Sequence, residues 1–231
     1  MLRALTKREL WDIEDAGRLD ELPRTSYWHL KSAQDAVTYQ QFAEWQHKRI
    51  GEVGGGESRL LPVLAQRNEC FNFEVFDGRD GGPAREVVVP GVTNVRCLVG
   101  ETEGVFEGST LDAVFSISVV EHVPTEALDA YFSDCRRLLK PGGLMFHVID
   151  VYIADEPSSE TRSRLRRYRQ PFDTGMFQPL GDVLQPDDFR FSCAMVSNPD
   201  HVMAMWNRSV PAYRSRREES QCVAIVMAGT A

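Results

Sequence analysis

Apolar and polar positions divide the chain into two textures. Residues 1 to about 48 read as helical: apolar positions recur at Ala36, Tyr39 and Ala43, and Trp11, Trp28, Phe42 and Trp45 crowd the segment. This predicts an N-terminal helical cap over 1–48. From Ile50 onward short apolar runs alternate with helical stretches, the βαβ pattern of a mostly parallel sheet. Ile50 to Val53 is predicted as a strand that enters the glycines Gly54-Gly55-Gly56, followed by a helix from Ser58 to about Arg67. Cys70 to Phe76 and Val95 to Val99 are predicted as the next two strands. Leu111 to Val120 is apolar almost throughout, as a strand buried on both faces must be, and is placed at the centre of the sheet.

The clearest helix follows Pro124. Leu128, Tyr131, Phe132, Cys135, Leu138 and Leu139 fall on one stripe that packs on a sheet. Lys140-Pro141-Gly142-Gly143 stops it, and Leu144 to Val151 is a fifth strand. Phe191 to Val196 and Gln221 to Ala228 are two late strands, the last antiparallel. The expected fold is therefore α/β: a Rossmann-like, seven-stranded, mostly parallel sheet with helices on both faces and an N-terminal helical cap. Residues 49–231 form its main domain.

Composition removes whole classes of function. With 231 residues, 42% of them hydrophobic and 26% charged, the chain has enough apolar mass for a core, so disorder is excluded. Its 26 Lys and Arg against 34 Asp and Glu give a net charge of −8, which offers no field toward nucleic acid or anionic membrane. No run approaches a membrane span and the start lacks a signal peptide's apolar core, so a cytoplasmic location is expected. Five cysteines without a C-x-x-C suit buried thiols better than disulfides or zinc, and no metal site is expected.

Strand, glycine turn and helix together let backbone N–H groups face a ligand. Glu52, Asp77 and Glu101 are expected at the ends of successive strands, where an open parallel sheet gathers its ligands. A dinucleotide fingerprint would need a third glycine at Arg59, and Glu57 would repel a diphosphate. A cationic, phosphate-free cofactor suits the acids instead: Glu52 to bind an ammonium or hold the glycine loop, and Asp77 to accept two ribose hydroxyls. The acid-edged turn opposes a nicotinamide-dependent oxidoreductase, the least favoured alternative.

Glu52-Val53-Gly54-Gly55-Gly56-Glu57-Ser58 resembles motif I of class I S-adenosylmethionine-dependent methyltransferases. Asp77-Gly78 falls at that family's ribose-binding acid, and Val99-Gly100-Glu101 is similar to its adenine segment. Leu111 to Val123 resembles its fourth strand and the loop beyond, and Leu138 to Leu144 the turn into its fifth strand. The resemblance covers about residues 48 to 150. It implies S-adenosyl-L-methionine as cofactor, held by Glu52, Gly54, Gly55, Gly56, Asp77, Gly78, Gly100, Glu101, Ser118 and Val119, and methyl transfer to a small-molecule acceptor. The motif wording points to a sugar hydroxyl; a non-catalytic partner subunit on the same fold is the alternative.

A hydroxyl acceptor needs a base. His122 follows the central strand at the catalytic edge and carries an imidazole, a side chain suited to a general base, and Asp150 lies at the end of the fifth strand; these are the candidate catalytic residues. His147 and Asp150 are an odd number of positions apart and so face opposite sides of their strand. Residues 153–188 are polar, with Arg162, Arg164, Arg166, Arg167 and Arg169 close together. A solvated face is the default for them; as a substrate lid they would suit an anionic or glycan-related acceptor.

Overall fold

A computed structural model describes residues 1–22, 30–79, 82–153, 156–189 and 221–231. Eight strands form one sheet: β1 (Leu2–Ala4), β2 (Arg49–Val53), β3 (Glu69–Phe73), β4 (Val92–Val95), β5 (Leu111–Ile117), β6 (Leu139–Ile153), β7 (Gln178–Pro179) and β8 (Gln221–Thr230). Their order is β1-β8-β6-β5-β2-β3-β4, with the two-residue β7 paired to β8. The run from β4 to β6 is parallel, and β8 is antiparallel to both β6 and β1. β5 is central, as its unbroken apolar run requires.

The parallel strands are sequestered on both faces. On one face α1 (Lys7–Asp15), α2 (Leu30–Phe42) and the short α3 (Leu61–Leu64) pack Ile13, Ala36, Phe42 and Leu64 onto Ile50, Phe115, Phe146 and Val148. On the other, α4 (Leu128–Leu138) and α5 (Ser159–Asp173) pack Phe132, Leu138, Leu165 and Phe172 onto Phe73, Val114, Met145 and Ile149. The stripe expected after Pro124 is the buried face of α4.

Among the described residues eight strands stand where seven were expected, β5 ends at Ile117 rather than Val120, β6 starts at Leu139 rather than Leu144, and further boundaries differ. Residues 1–48 supply a strand as well as helices: β1 pairs Leu2 with Met227 at the sheet edge, and Thr6 and Glu9 form a capping box that starts α1 directly after it. The second strand stops at Phe73 because the Glu74 carboxylate captures the amides of Val75 (2.9 Å) and Phe76 (3.3 Å), and Phe76 turns away at φ +56°. The third strand is Val92–Val95 rather than Val95–Val99, since Cys97 N–H turns back onto the Val95 carbonyl. The helix expected over Ser58–Arg67 shrinks to one turn, ended by Asn68, whose amide donates to the carbonyls of Leu64 and Trp45. The strand expected at Phe191–Val196 lies outside the described residues. Among the described residues no helix is long and apolar enough to cross a membrane.

Candidate functional site

The turn after β2 is shaped by backbone. Gly54 and Gly56 adopt φ +63° and +53°, and Gly54 N–H donates to the Phe73 carbonyl at 2.8 Å. A Cβ on Gly54 would lie 2.7 Å from a methyl of Val119, and one on Gly55 would lie 2.7 Å from Asn72 Oδ1. A larger residue is thus excluded twice at Gly54, by conformation and by space, and at Gly55 by space alone. Ser58, where the motif's last glycine would stand, accepts from Leu61 N–H at 2.9 Å and donates to Glu52 Oε2 at 2.5 Å. Burial pushes Glu52 up to about 7 against the opposing pull of that Ser58 bond, with Asp35 raising it further. Asn72, fully buried, donates to the Gly56 carbonyl at 3.1 Å, while its Oδ1 meets no donor.

The acids expected along the strand ends separate into two groups. Glu52 is buried and lines a cleft of about 240 Å³. Asp77 is exposed and bound to its neighbour Arg79, whose Nε donates at 2.5 Å and holds the carboxyl below its usual range. Glu74 occupies the position after β3 instead, close enough to Glu52 for their charges to interact. Gly78 takes φ +78° in a loop that carries Pro83 back over Gly56. Gly100 is claimed by the fold: with Thr102 it donates to Asp134 of α4, and Arg137 closes the cluster. Burial raises the Asp134 carboxyl, but these bonds outweigh it and leave it lowered. Glu101 is exposed beside them.

Across the cleft, α2 reaches over the carboxyl ends of β5 and β6. Lys31 Nζ donates to Ser118 Oγ and, at 3.0 Å, to Asp150 Oδ2. Gln34 Nε2 donates to Asp150 Oδ1 at 2.5 Å and its Oε1 accepts from Ser118 at 3.0 Å. One residue on, Asp35 holds Arg59 through two bonds of 2.5 and 2.8 Å, tying α2 to the glycine turn. Lys31, Gln34 and Asp35 are at helical spacing and share a face. Ser118 takes φ +55°, so the chain leaves β5 abruptly and brings Val119 against Gly54.

Beyond Ser118, the two oxygens of Glu121 are buried and meet no side-chain donor. Burial first, then the Asp150 charge, push Glu121 up to about 8, although Lys31 and nearby backbone amides pull the other way. His122 is exposed, with Nε2 4.0 Å from Glu121 Oε1. His147 faces α4, where its Nδ1 meets Ser116 Oγ at 2.8 Å, and burial drives it down to about 3. Asp150 faces α2, so the opposite-face expectation holds.

Most of the arginine segment is consumed internally. Arg164 donates to the Val120 and Val123 carbonyls at 2.9 and 2.8 Å, Arg167 pairs with Asp129, Arg169 with Asp173 and Arg162 with Asp187. Arg166 alone of the five is exposed. α5 therefore braces the loop after β5 rather than presenting a row of cations. A larger hollow of about 320 Å³, lined by Tyr39, Phe42, Trp45 and Asn68, lies by the amino ends of β2 and β3, away from this chemistry. Among the described residues no cluster of His, Cys, Asp or Glu is arranged to hold a metal.

Lys31, Gln34, Glu74 and Glu121 were not singled out by the sequence. Glu121 had one available signal, its place beside His122 on the exit from β5. Lys31 and Gln34 had none, because their partners are more than eighty residues away.

Residues 51–147 match the family described as the methyltransferase domain. This match spans less than half of the chain and covers the glycine turn, the central strand β5 and the start of β6. Solved structures with the same fold include geranyl diphosphate C-methyltransferase from Streptomyces coelicolor A3(2), 17% identical with a TM-score of 0.56, covering 87% of this chain and 79% of that one. A second is 1,6-didemethyltoxoflavin-N1-methyltransferase from Burkholderia thailandensis, 12% identical with a TM-score of 0.52, covering 97% and 86%. A third is phosphoethanolamine N-methyltransferase 2 from Haemonchus contortus, 15% identical with a TM-score of 0.53; 85% of this chain is covered but only 52% of that one. No curated protein matches the chain by sequence. The matched stretch includes the glycine turn, the central strand and the exit loop, and α2 and α5 lie outside it.

Proposed function

We propose that the protein transfers the methyl group of S-adenosylmethionine to a small-molecule acceptor. The observation that carries this is the contact between the two halves of the cleft: Val119 lies against Gly54, so the glycine turn and the exit of β5 form one surface edged by the carboxylates Glu52 and Asp35 and by the cations Lys31 and Arg59. Such a surface suits a cationic, phosphate-free cofactor. The residues fit it: Gly54 to Gly56 form a cradle that any Cβ would fill, and Asn72 Oδ1 lies buried beside it without a donor.

In this proposal Gly54, Gly55 and Gly56 contact the cofactor through backbone, and Glu52 fixes the turn through Ser58. Glu74 takes the ribose role assigned by sequence to Asp77, whose carboxylate serves Arg79. Ser118 and Val119 border the sulfonium end, and Gly100 and Glu101 the adenine. When bound, the cofactor supplies an activated methyl group, so the protein's task is alignment, worth up to roughly 7–11 kcal/mol in well-oriented reactions. Asp150 and His122 then border the acceptor. Neighbours of this fold named for methylating a carbon or a nitrogen support a small acceptor; no described residue singles out a sugar hydroxyl.

The test is a thermal-shift titration with S-adenosylmethionine, S-adenosylhomocysteine and NAD. Either adenosyl compound at a hundred times its dissociation constant should add about 2.7 kcal/mol, and NAD nothing. Glu74→Ala should weaken both adenosyl ligands at least tenfold while Asp77→Ala changes them less than threefold. A flat response to both adenosyl compounds, or a response to NAD alone, overturns the proposal.

A further inference from the structure

The exit from β5 leaves the sheet in a conformation that its own sequence does not favour. Ser118 takes φ +55°, and the chain then makes two tight turns, His122 N–H onto the Val119 carbonyl at 2.9 Å and Val123 N–H onto the Val120 carbonyl at 3.2 Å. A residue with a Cβ keeps such a φ only where its surroundings over-determine it. One support is α2, whose Lys31 and Gln34 hold the Ser118 hydroxyl. The other is a single side chain of α5, on the opposite face of the sheet. Arg164 Nη2 donates to the Val120 and Val123 carbonyls at 2.9 and 2.8 Å, Nη1 donates to Thr125 Oγ1 at 3.3 Å, and Nε donates to the buried Tyr168 hydroxyl at 2.9 Å. On the same helix Arg162, Arg167 and Arg169 each take a carboxylate. Arg164 spends its donors on the loop and on the phenol that orients it, a use that needs the planar fork of a guanidinium.

We propose that Arg164 is a positioning residue: through the carbonyls of Val120 and Val123 it holds Ser118 and Val119 at the methyl-bearing end of the cofactor. The inference rests on the methyltransferase reading above and deepens it. Ser118 lines the cleft, and Val119 stands so close to Gly54 that a Cβ there would lie 2.7 Å from its methyl. Val120 is the next residue and is fully buried, so a shift of its carbonyl carries Val119 with it. The clamp therefore sets the gap between the glycine turn and the exit of β5, the gap in which the methyl group would be aligned. Displacing a reacting group by about 1 Å can cost roughly a hundredfold in rate, which is the scale on which such a clamp matters. No described residue of α5 lines the cleft, yet these bonds make the helix part of cofactor binding at one end and leave the adenine and ribose end untouched.

The test is a calorimetric titration with two ligands: S-adenosylhomocysteine, which extends past the sulfur, and adenosine, which stops at the ribose. Arg164→Met should weaken S-adenosylhomocysteine at least tenfold and adenosine less than twofold. Arg164→Lys keeps a cation with three N–H donors for the two carbonyls and should bind both ligands within threefold of the parent. Arg162→Met removes an ion pair from the same helix without touching the loop, and should change neither ligand by more than twofold. Tyr168→Phe, a milder variant that serves should Arg164→Met not fold, frees Arg164 Nε and should weaken S-adenosylhomocysteine two- to fivefold with adenosine unchanged. In the Arg164→Met background that effect should vanish. Arg164→Met or Tyr168→Phe that weakens both ligands equally, or leaves S-adenosylhomocysteine binding as tight as in the parent, overturns the positioning role. A parent protein that binds no S-adenosylhomocysteine instead overturns the cofactor reading beneath it.

Discussion

The two ends of the cleft are built by opposite means. At the glycine turn the surface is backbone: three consecutive glycines, a capping serine and a strand end, all within a short stretch of chain. At the β5 and β6 end it is a side-chain network, Lys31, Gln34, Ser118 and Asp150, drawn from three distant segments. A backbone surface tolerates almost no substitution because conformation and space both forbid it. A side-chain network can be rewired one residue at a time while the strands beneath stay put.

The contrast breaks most severely at Gly54. Gly54→Ala forces a residue with a Cβ to φ +63° and drives that Cβ into Val119. A loss of roughly 2–4 kcal/mol in denaturant unfolding, with at least a tenfold loss of adenosyl-ligand affinity, is expected. Adding Val119→Ala should restore part of the stability, and a double mutant no better than the single one would show that the two ends do not touch.

At the other end the largest effect is one of pH. The Glu121 pKa is raised from 4.5 to about 8, so between those values the folded chain holds a proton the unfolded chain has lost. Its contribution is complete below about pH 4.5 and disappears as pH rises through 8. Glu121→Gln should flatten that decline, leaving the protein on the order of 2–3 kcal/mol less pH-dependent, as read from urea midpoints between pH 5 and 9. Glu52, raised to about 7, declines in the same direction and should be the residual slope, ending nearer neutrality.

Lys31→Met removes the cation that Ser118 and Asp150 share, and should cost about 1–3 kcal/mol, because Asp150 is then left with Gln34 as its remaining side-chain donor. Asp150→Asn in the same background should recover part of it; additive losses would mean that the two side chains act independently. The smallest effect is expected at Ser58→Ala, about 1 kcal/mol by thermal unfolding, from loss of the cap on Leu61 and of the donor to Glu52.

The same contrast explains what was legible from sequence. The parallel core, the central place of β5 and the α4 stripe follow from apolar periodicity, which is a local property. Gly54 to Gly56 and Glu52 were readable for the same reason. Asp77 was read as the acid at the strand end, a place that Glu74 takes, because nothing in an alternating strand reveals that Glu74 will cap its own chain and end the pairing at Phe73. Lys31 and Gln34 were illegible because their meaning exists only when α2 lies on the sheet. The arginines near 162–169 were legible as charge but not as structure: their partners are carbonyls and carboxylates set by the fold.

β1 is three residues long, yet it sets the order in which the protein can assemble. Its partner β8 is separated from it by nearly the whole described chain, so during synthesis Leu2 emerges long before Met227 exists to receive it. Until β8 docks, the ten residues of β6 from Leu144 to Ile153 present an open edge, the kind of unpaired strand that invites aggregation. The loop that brings β1 to β8 is also slow to close. α1 starts directly after β1, and α2 packs on α1, β6 and β8, so Lys31 and Gln34 rest in part on the last strand. The nascent chain can thus form its glycine turn well before it can form a complete cleft.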